Sequence, residues 1–139
     1  MIYLDANATE PLRPQARAAA LAAMEIGGNP SSVHQAGREA RKILEAARER
    51  VASFCATRPA DVIFCAGATE ADALAIHALG RDRPILIGAT EHDAIRAAAP
   101  HAEIIPVQPD GQVDLAALKT LLAAHPGALV CLMLSLIHI

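Results

Sequence analysis

Residues 62–79 read VIFCAGATEADALAIHAL, and the fold class turns on what that stretch becomes. Val62, Ile63 and Phe64 form a short apolar run of strand type, followed by a glycine turn and then a helix. Gly67 supplies backbone freedom for a sharp turn, and Thr69 is placed to cap the helix with Asp72 as its capping-box partner. Leu74, Ile76 and Leu79 give the helix an apolar side, and Gly80 ends it. A helix that starts at the carboxyl end of a strand aims free N–H groups and a partial positive charge at one spot, which suits a phosphate. The Thr69 hydroxyl adds a donor there. Taken alone, the stretch is better read as an ordinary strand-to-helix turn with a threonine cap, since Gly-Ala-Thr-Glu is short and common.

Composition narrows the setting. The chain has 139 residues, enough for one domain with a sizeable core. It is 53% hydrophobic, largely through alanine, yet only 2% aromatic. Alanine helices packed on a sheet match that profile better than a β-sandwich. A formal charge of −3 offers no basic field for nucleic acid or for an anionic membrane. The three cysteines, Cys55, Cys65 and Cys131, are widely spaced among apolar residues and form neither a metal pair nor a disulfide framework. They read as buried free thiols in a reducing compartment. No signal peptide stands at the amino terminus, and the apolar run from Ala128 to Ile139 is too short to span a bilayer. A cytoplasmic protein is expected.

The remainder of the chain alternates. Ile2 to Leu4 is a candidate strand, and a helix is predicted from Pro14 to about Glu25, with Ala16, Ala20, Ala23 and Met24 at helical spacing. Asn29 to His34 is an irregular connector rich in turn formers. A long helix spans Gln35 to Phe54, with Ile43, Leu44, Ala47, Val51 and Phe54 as its apolar stripe. Pro84 to Ala89 is a strand that ends at Thr90-Glu91-His92, and a helix begins near His92. Glu103 to Val107 is a strand, Asp110-Gly111 a turn, and Val113 to Ala124 a helix with Leu115, Leu118, Leu121 and Leu122 inward. Leu129 to Leu134 is the last strand. Near-continuously apolar strands alternating with helices indicate parallel pairing, with ligands beyond the carboxyl ends of the strands. Gly67-Ala68-Thr69 and Glu91-His92 both stand there.

Four stretches in this order carry a resemblance: Tyr3-Leu4-Asp5-x-x-Ala8-Thr9-x-Pro11, Gly28-Asn29-Pro30-Ser31-Ser32-x-His34, Gly67-Ala68-Thr69-Glu70-x-Asp72 and Thr90-Glu91-His92. Together they resemble the amino-terminal part of a cysteine desulfurase, in the class V aminotransferase group of pyridoxal-phosphate enzymes. The resemblance runs from about residue 1 to residue 134 and implies a fragment, the first third or so of a family member. It implies an α/β fold, the amino-terminal portion of an aspartate-aminotransferase-like large domain with a mostly parallel sheet flanked by helices.

It also implies roles. Ala68 and Thr69 would hold the phosphate of pyridoxal 5'-phosphate (PLP), and His92 would stack on its pyridine ring and move protons near the substrate. An imidazole suits that task because its ordinary pKa is near neutral. The competing account of His92 is a helix-start histidine bonded to backbone. Asn29 and His34 are assigned no chemistry. The implied substrate is L-cysteine, converted to L-alanine while sulfur passes to an enzyme cysteine and then to an acceptor protein, in a homodimer serving sulfur metabolism such as iron–sulfur cluster assembly.

Departures from the family pattern are visible. Ala66 stands where serine is usual and Ala73 where asparagine is frequent. The resemblance implies that the family's tethering lysine, the aspartate that pairs with the pyridinium nitrogen and the persulfide cysteine all lie further downstream. Lys42 and Lys119, in helices, and the three cysteines, each in an apolar helix or strand, do not take those roles. Family members continue from the last strand into a polar loop, whereas Ser135 to Ile139 reads as a foreign tail. The chain as given is therefore expected to be inactive. Two other readings stand beside this one: another class V enzyme, such as a selenocysteine lyase or an aminotransferase, and a small non-catalytic α/β module that binds a phosphate or nucleotide.

Overall fold

A computed structural model describes Ile2, Leu4 and residues 9–133 of the chain. The expected strand at Ile2 to Leu4 includes Tyr3, outside the described residues, as are Asp5 and Ala8 of the first motif, the end of the last strand at Leu134, and the tail from Ser135. The chain falls into two compact units, Met1–Phe64 and Cys65–Ile139.

The first unit is helical. Helix α1 spans Pro14–Met24 with its proline in the first turn, the position where a missing N–H costs nothing. It buries none of its residues, so the predicted alanine face does not form a core. Helix α2 spans Gln35–Phe54, the predicted limits. Its expected stripe is only partly covered: Gly37 and Ala52 are its buried residues, while Phe54 is 93% exposed.

The connector before α2 is organised by side chains bonding to nearby backbone. The Asn29 side-chain oxygen accepts from the Ser31 N–H at 2.9 Å, and His34 Nδ1 caps α2 by accepting from the Gly37 N–H at 3.4 Å. Gly37 is pressed against the connector, and a Cβ there would fall 2.3 Å from the Ser32 carbonyl oxygen and 2.8 Å from that of Asn29. These contacts give Asn29 and His34 a local structural purpose.

A single 3-10 turn, Pro59–Asp61, closes the unit and is held by a two-pronged Arg58–Asp61 ion pair with N···O distances of 2.7 and 2.8 Å. The predicted buried strand at Val62 to Phe64 is corrected here. Val62 to Phe64 lies outside the described sheet, and Ile63 is 76% exposed. The Val62 carbonyl accepts from Arg48 Nη1, and the Arg48 guanidinium carbon lies 4.9 Å from the centre of the Phe64 ring. Three apolar residues in a row do not by themselves specify a ladder partner, and here a guanidinium takes a carbonyl that a neighbouring strand would otherwise take.

The second unit is α/β. Helix α3 spans Ala68–Leu79, strand β1 Ile85–Gly88, helix α4 Asp93–Ala98, strand β2 Glu103–Ile105, helix α5 Leu115–Ala124 and strand β3 Leu129–Cys131. The described sheet has the order β2-β1-β3, and both pairings are parallel, as the apolar strands predict. Ile87 of β1 is opposite Ile104 of β2 and Cys131 of β3.

The core is small. Ile76 of α3, Ile87 and Ala99 form its buried centre, with Ile85, Ile95, Ala98, Ala102 and Cys131 packed around them. Leu74 and Leu79, expected on the inner side of α3, are 50% and 55% exposed, so Ile76 alone anchors that helix. In α5, Leu118 and Leu121 are partly buried, but Leu115 and Leu122 face outward against expectation. That helix starts on Asp114, whose side chain accepts from the Ala116 and Ala117 N–H groups. The predicted turn at Asp110-Gly111 forms, with Gly111 at a φ of 87°.

At an open helix position alanine is favoured over glycine by roughly 1 kcal/mol. Gly37→Ala is expected to act in the opposite sense, lowering the free energy of unfolding by about 1–3 kcal/mol through overpacking against the Ser32 and Asn29 carbonyls. Urea unfolding reads the change, and an unaltered or raised midpoint would refute the interlock.

Candidate functional site

Two loops named from sequence carry the candidate site, and both belong to the second unit. The first is the start of α3. Its N-cap is Gly67, not Thr69, and no side chain caps it. Thr69 is therefore a first-turn residue, exposed together with Ala68. The predicted box between Thr69 and Asp72 is corrected: Glu70 closes the turn, its Oε2 accepting from the Ala66 N–H at 2.6 Å. The shift follows from where the helix begins, since with Gly67 at the cap the acidic residue three places on is Glu70. Gly67 adopts φ 176° and ψ 179°, an extended conformation open to any residue. A side chain at Gly67 would meet no atom within 4 Å, so what the glycine provides is open space, not a strained turn.

The second loop follows the carboxyl end of β1. His92 caps α4, with Nδ1 accepting from the Ala94 N–H at 3.1 Å. This is the backbone-bonded helix-start histidine that stood as the alternative account. A neutral ring that accepts at Nδ1 carries its proton on Nε2. The side chain is exposed, so its faces and Nε2 are accessible to a ligand.

Helix α3 packs against α4. Burial pushes the Cys131 thiol above its ordinary pKa, and the nearby Glu91 and Asp72 carboxylates raise it further. Asp72 is one turn along α3 from Thr69, and Glu91 precedes His92. Cys131 ends β3, and the β1–α4 loop leaves the carboxyl end of β1, the end at which parallel sheets place ligands.

Sequence reasoning placed Glu91 beside His92 in the candidate loop without giving it a role, and it passed over Arg96. Glu91 is 9% exposed and its Oε1 is buried with no hydrogen-bond partner. An ionisable residue between an apolar strand and the next helix start is the signal that marks it. The cysteines also differ from expectation: Cys55 is exposed at the end of α2, whereas Cys65 and Cys131 are partly buried. Among the described residues, no group of three or more His, Cys, Asp or Glu could hold a metal ion, and no helix is long and apolar enough to cross a membrane.

Known proteins share this sequence and this arrangement. The aminotransferase class-V family pattern matches residues 2–135. A cysteine desulfurase of Frankia sp. (strain EuIK1) is 43% identical over 141 residues, covering 86% of this chain and 33% of that protein. An IscS-like cysteine desulfurase of Mycobacterium tuberculosis is 38% identical over 150 residues, covering 96% of this chain and 38% of that protein. The human selenocysteine lyase is 37% identical over 123 residues. In three dimensions, the crystal structure of a NifS-like protein from Rickettsia africae superposes with a TM-score of 0.82 at 33% identity, covering 95% of this chain and 39% of that one. The chain thus spans between a third and two fifths of the length of the two desulfurases above.

The thiolate, not the thiol, reacts with alkylating reagents, so a raised pKa slows labelling at any pH below it. At neutral pH, Cys55 is expected to be alkylated well before Cys131, and Asp72→Asn is expected to speed labelling of Cys131 by removing one of the two charges that raise it. Mass spectrometry of the labelled peptides follows both, and equal rates at the two cysteines would contradict the assignment.

Proposed function

The chain belongs to the class V aminotransferase family, and on that premise we propose that it is part of a PLP-dependent cysteine desulfurase. The reaction takes L-cysteine to L-alanine and leaves the sulfur on an enzyme cysteine as a persulfide. The observation that supports the reading is an α3 start that no side chain caps, with Thr69 in its first turn, on a helix packed against α4, which the exposed His92 begins.

The residues present fit the cofactor. An α3 start that no side chain caps, with open space at Gly67, suits a phosphate, and the Ala68 and Thr69 N–H groups with the Thr69 hydroxyl are its donors. Glu70 already occupies itself with the Ala66 N–H, so its carboxylate is engaged by the chain. His92 would pack on the ring of the cofactor, and because Nδ1 accepts from the Ala94 N–H, Nε2 is the nitrogen that would exchange protons with substrate. PLP itself supplies the electron sink for bonds broken next to the amino-bearing carbon of the substrate.

The division of chemistry follows from the chain's own residues. Lys42 in α2 and Lys119 in α5 are exposed helix residues, and neither is proposed to tether the cofactor. Cys131 is held in its protonated, unreactive form and is not proposed as the persulfide carrier. Both of those groups are assigned to residues outside these 139, as is the capacity for turnover. A homodimer, a sulfur-acceptor protein and a cytoplasmic setting belong to the same proposal. The human selenocysteine lyase among the relatives supports a second substrate, since removing selenium and removing sulfur from the two amino acids call on the same cofactor chemistry. The loop that bears the nucleophilic cysteine would separate them.

Thr69→Val in the full-length protein is expected to weaken PLP retention roughly ten- to a hundredfold, the effect of one lost hydrogen bond to a charged group. Equilibrium dialysis measures it, and wild-type affinity would remove Thr69 from the site. The 139-residue chain mixed with PLP and L-cysteine is expected to release no alanine, and sustained turnover would overturn the division of chemistry.

A further inference from the structure

We propose that Arg96 is a positioning residue, a two-pronged clamp on the β1–α4 connection that sets where the His92 imidazole stands. Arg96 lies in the last turn of the six-residue helix α4. Side chains on a helix lean toward its amino terminus, so a long one reaches the segment that enters the helix. Arg96 does so. Its Nη2 donates to the Ala89 carbonyl, and its Nε donates to the Glu91 carbonyl at 3.4 Å.

Those two carbonyls belong to the residues on either side of Thr90, and the second immediately precedes His92. The connection has few other ties: Ala89 donates to the Ile105 carbonyl at 2.9 Å, and Glu91 donates to the Gly88 carbonyl at 3.2 Å. The Glu91 side chain contributes no bond of its own at Oε1. Arg96 therefore holds the acceptors on this loop while the Ala94 N–H holds the imidazole at Nδ1. Releasing the first loosens the second, because the φ and ψ angles of residues 89–91 determine where the helix cap begins.

A cation in the last turn of a helix also favours the helix dipole, and that is the competing account. The two separate cleanly. Lysine keeps the charge but is a compact point donor that cannot span two carbonyls as the planar guanidinium does. The proposal rests on the reading of His92 as a site residue, and the measurements use ligand-free protein, so their outcome does not depend on whether PLP binds.

In the full-length protein, Arg96→Met and Arg96→Lys are both expected to speed exchange of the Ala94 amide about tenfold. Both are also expected to average the distinct 15N resonances of the His92 ring nitrogens, which report the Nε2–H tautomer. Exchange of the β1 amides should stay at its native rate. Arg96→Lys with native exchange and native ring resonances would show that charge alone suffices and would overturn the clamp. So would Arg96→Met with both readouts unchanged. General loss of protection in β1 with either variant would also overturn it, because a local clamp leaves the sheet folded.

Discussion

Everything in the second unit depends on β1 being hydrogen-bonded on both sides. Its four residues, Ile85–Gly88, pair in parallel with β2 and with β3, and Leu86 is fully buried between Glu103 and Val130. Parallel neighbours cannot be joined by a tight turn, so the chain must return across the sheet each time. Residues 89–102 make the first return and carry α4, and the segment between β2 and β3 carries α5. One consequence is directional. The carboxyl ends of all three strands, and the segments that leave β1 and β2, face the same way.

At that end the backbone is satisfied by unequal means. Glu70 takes the N–H of Ala66, His92 takes that of Ala94, and Arg96 supplies the loop carbonyls between them. Thr69 and the first N–H groups of α3 are left open to solvent by this pattern. A buried carboxylate oxygen on Glu91 without a partner is costly, on the order of 1–3 kcal/mol or more for a charged group. Burial raises the pKa of the Cys131 thiol, and this carboxylate and that of Asp72 raise it further.

The class V family supplies the chemical frame, and this chain supplies particular parts of it. A phosphate seat needs only backbone N–H groups and a hydroxyl, and a ring-facing imidazole needs only one well-held side chain. Both can be built from two loops at one sheet end. A tethering amine and a mobile thiolate need different surroundings, an open strand tip and an electropositive exposed loop, and none of the described lysines or cysteines occupies either.

Much of this was legible in the residues. Apolar strands alternating with alanine-rich helices specify a parallel sheet, because only helices on the faces hide strands that are apolar throughout. The limits of α2 and the turn at Asp110-Gly111 follow from local rules of helix period and turn preference. Those rules act over a few residues and survive any packing. Whether Val62 to Phe64 joins a sheet, whether Leu74 faces the core, which acid closes the α3 turn and where the Arg96 side chain reaches are different in kind. The first depends on a group from elsewhere, Arg48 at the Val62 carbonyl. The second depends on how α3 packs, with Ile76 buried and Leu74 exposed. The last two depend on where helices α3 and α4 begin, at Gly67 and His92. Local preference sets the elements, and competition among distant partners for the same donors, acceptors and buried area decides how they are used.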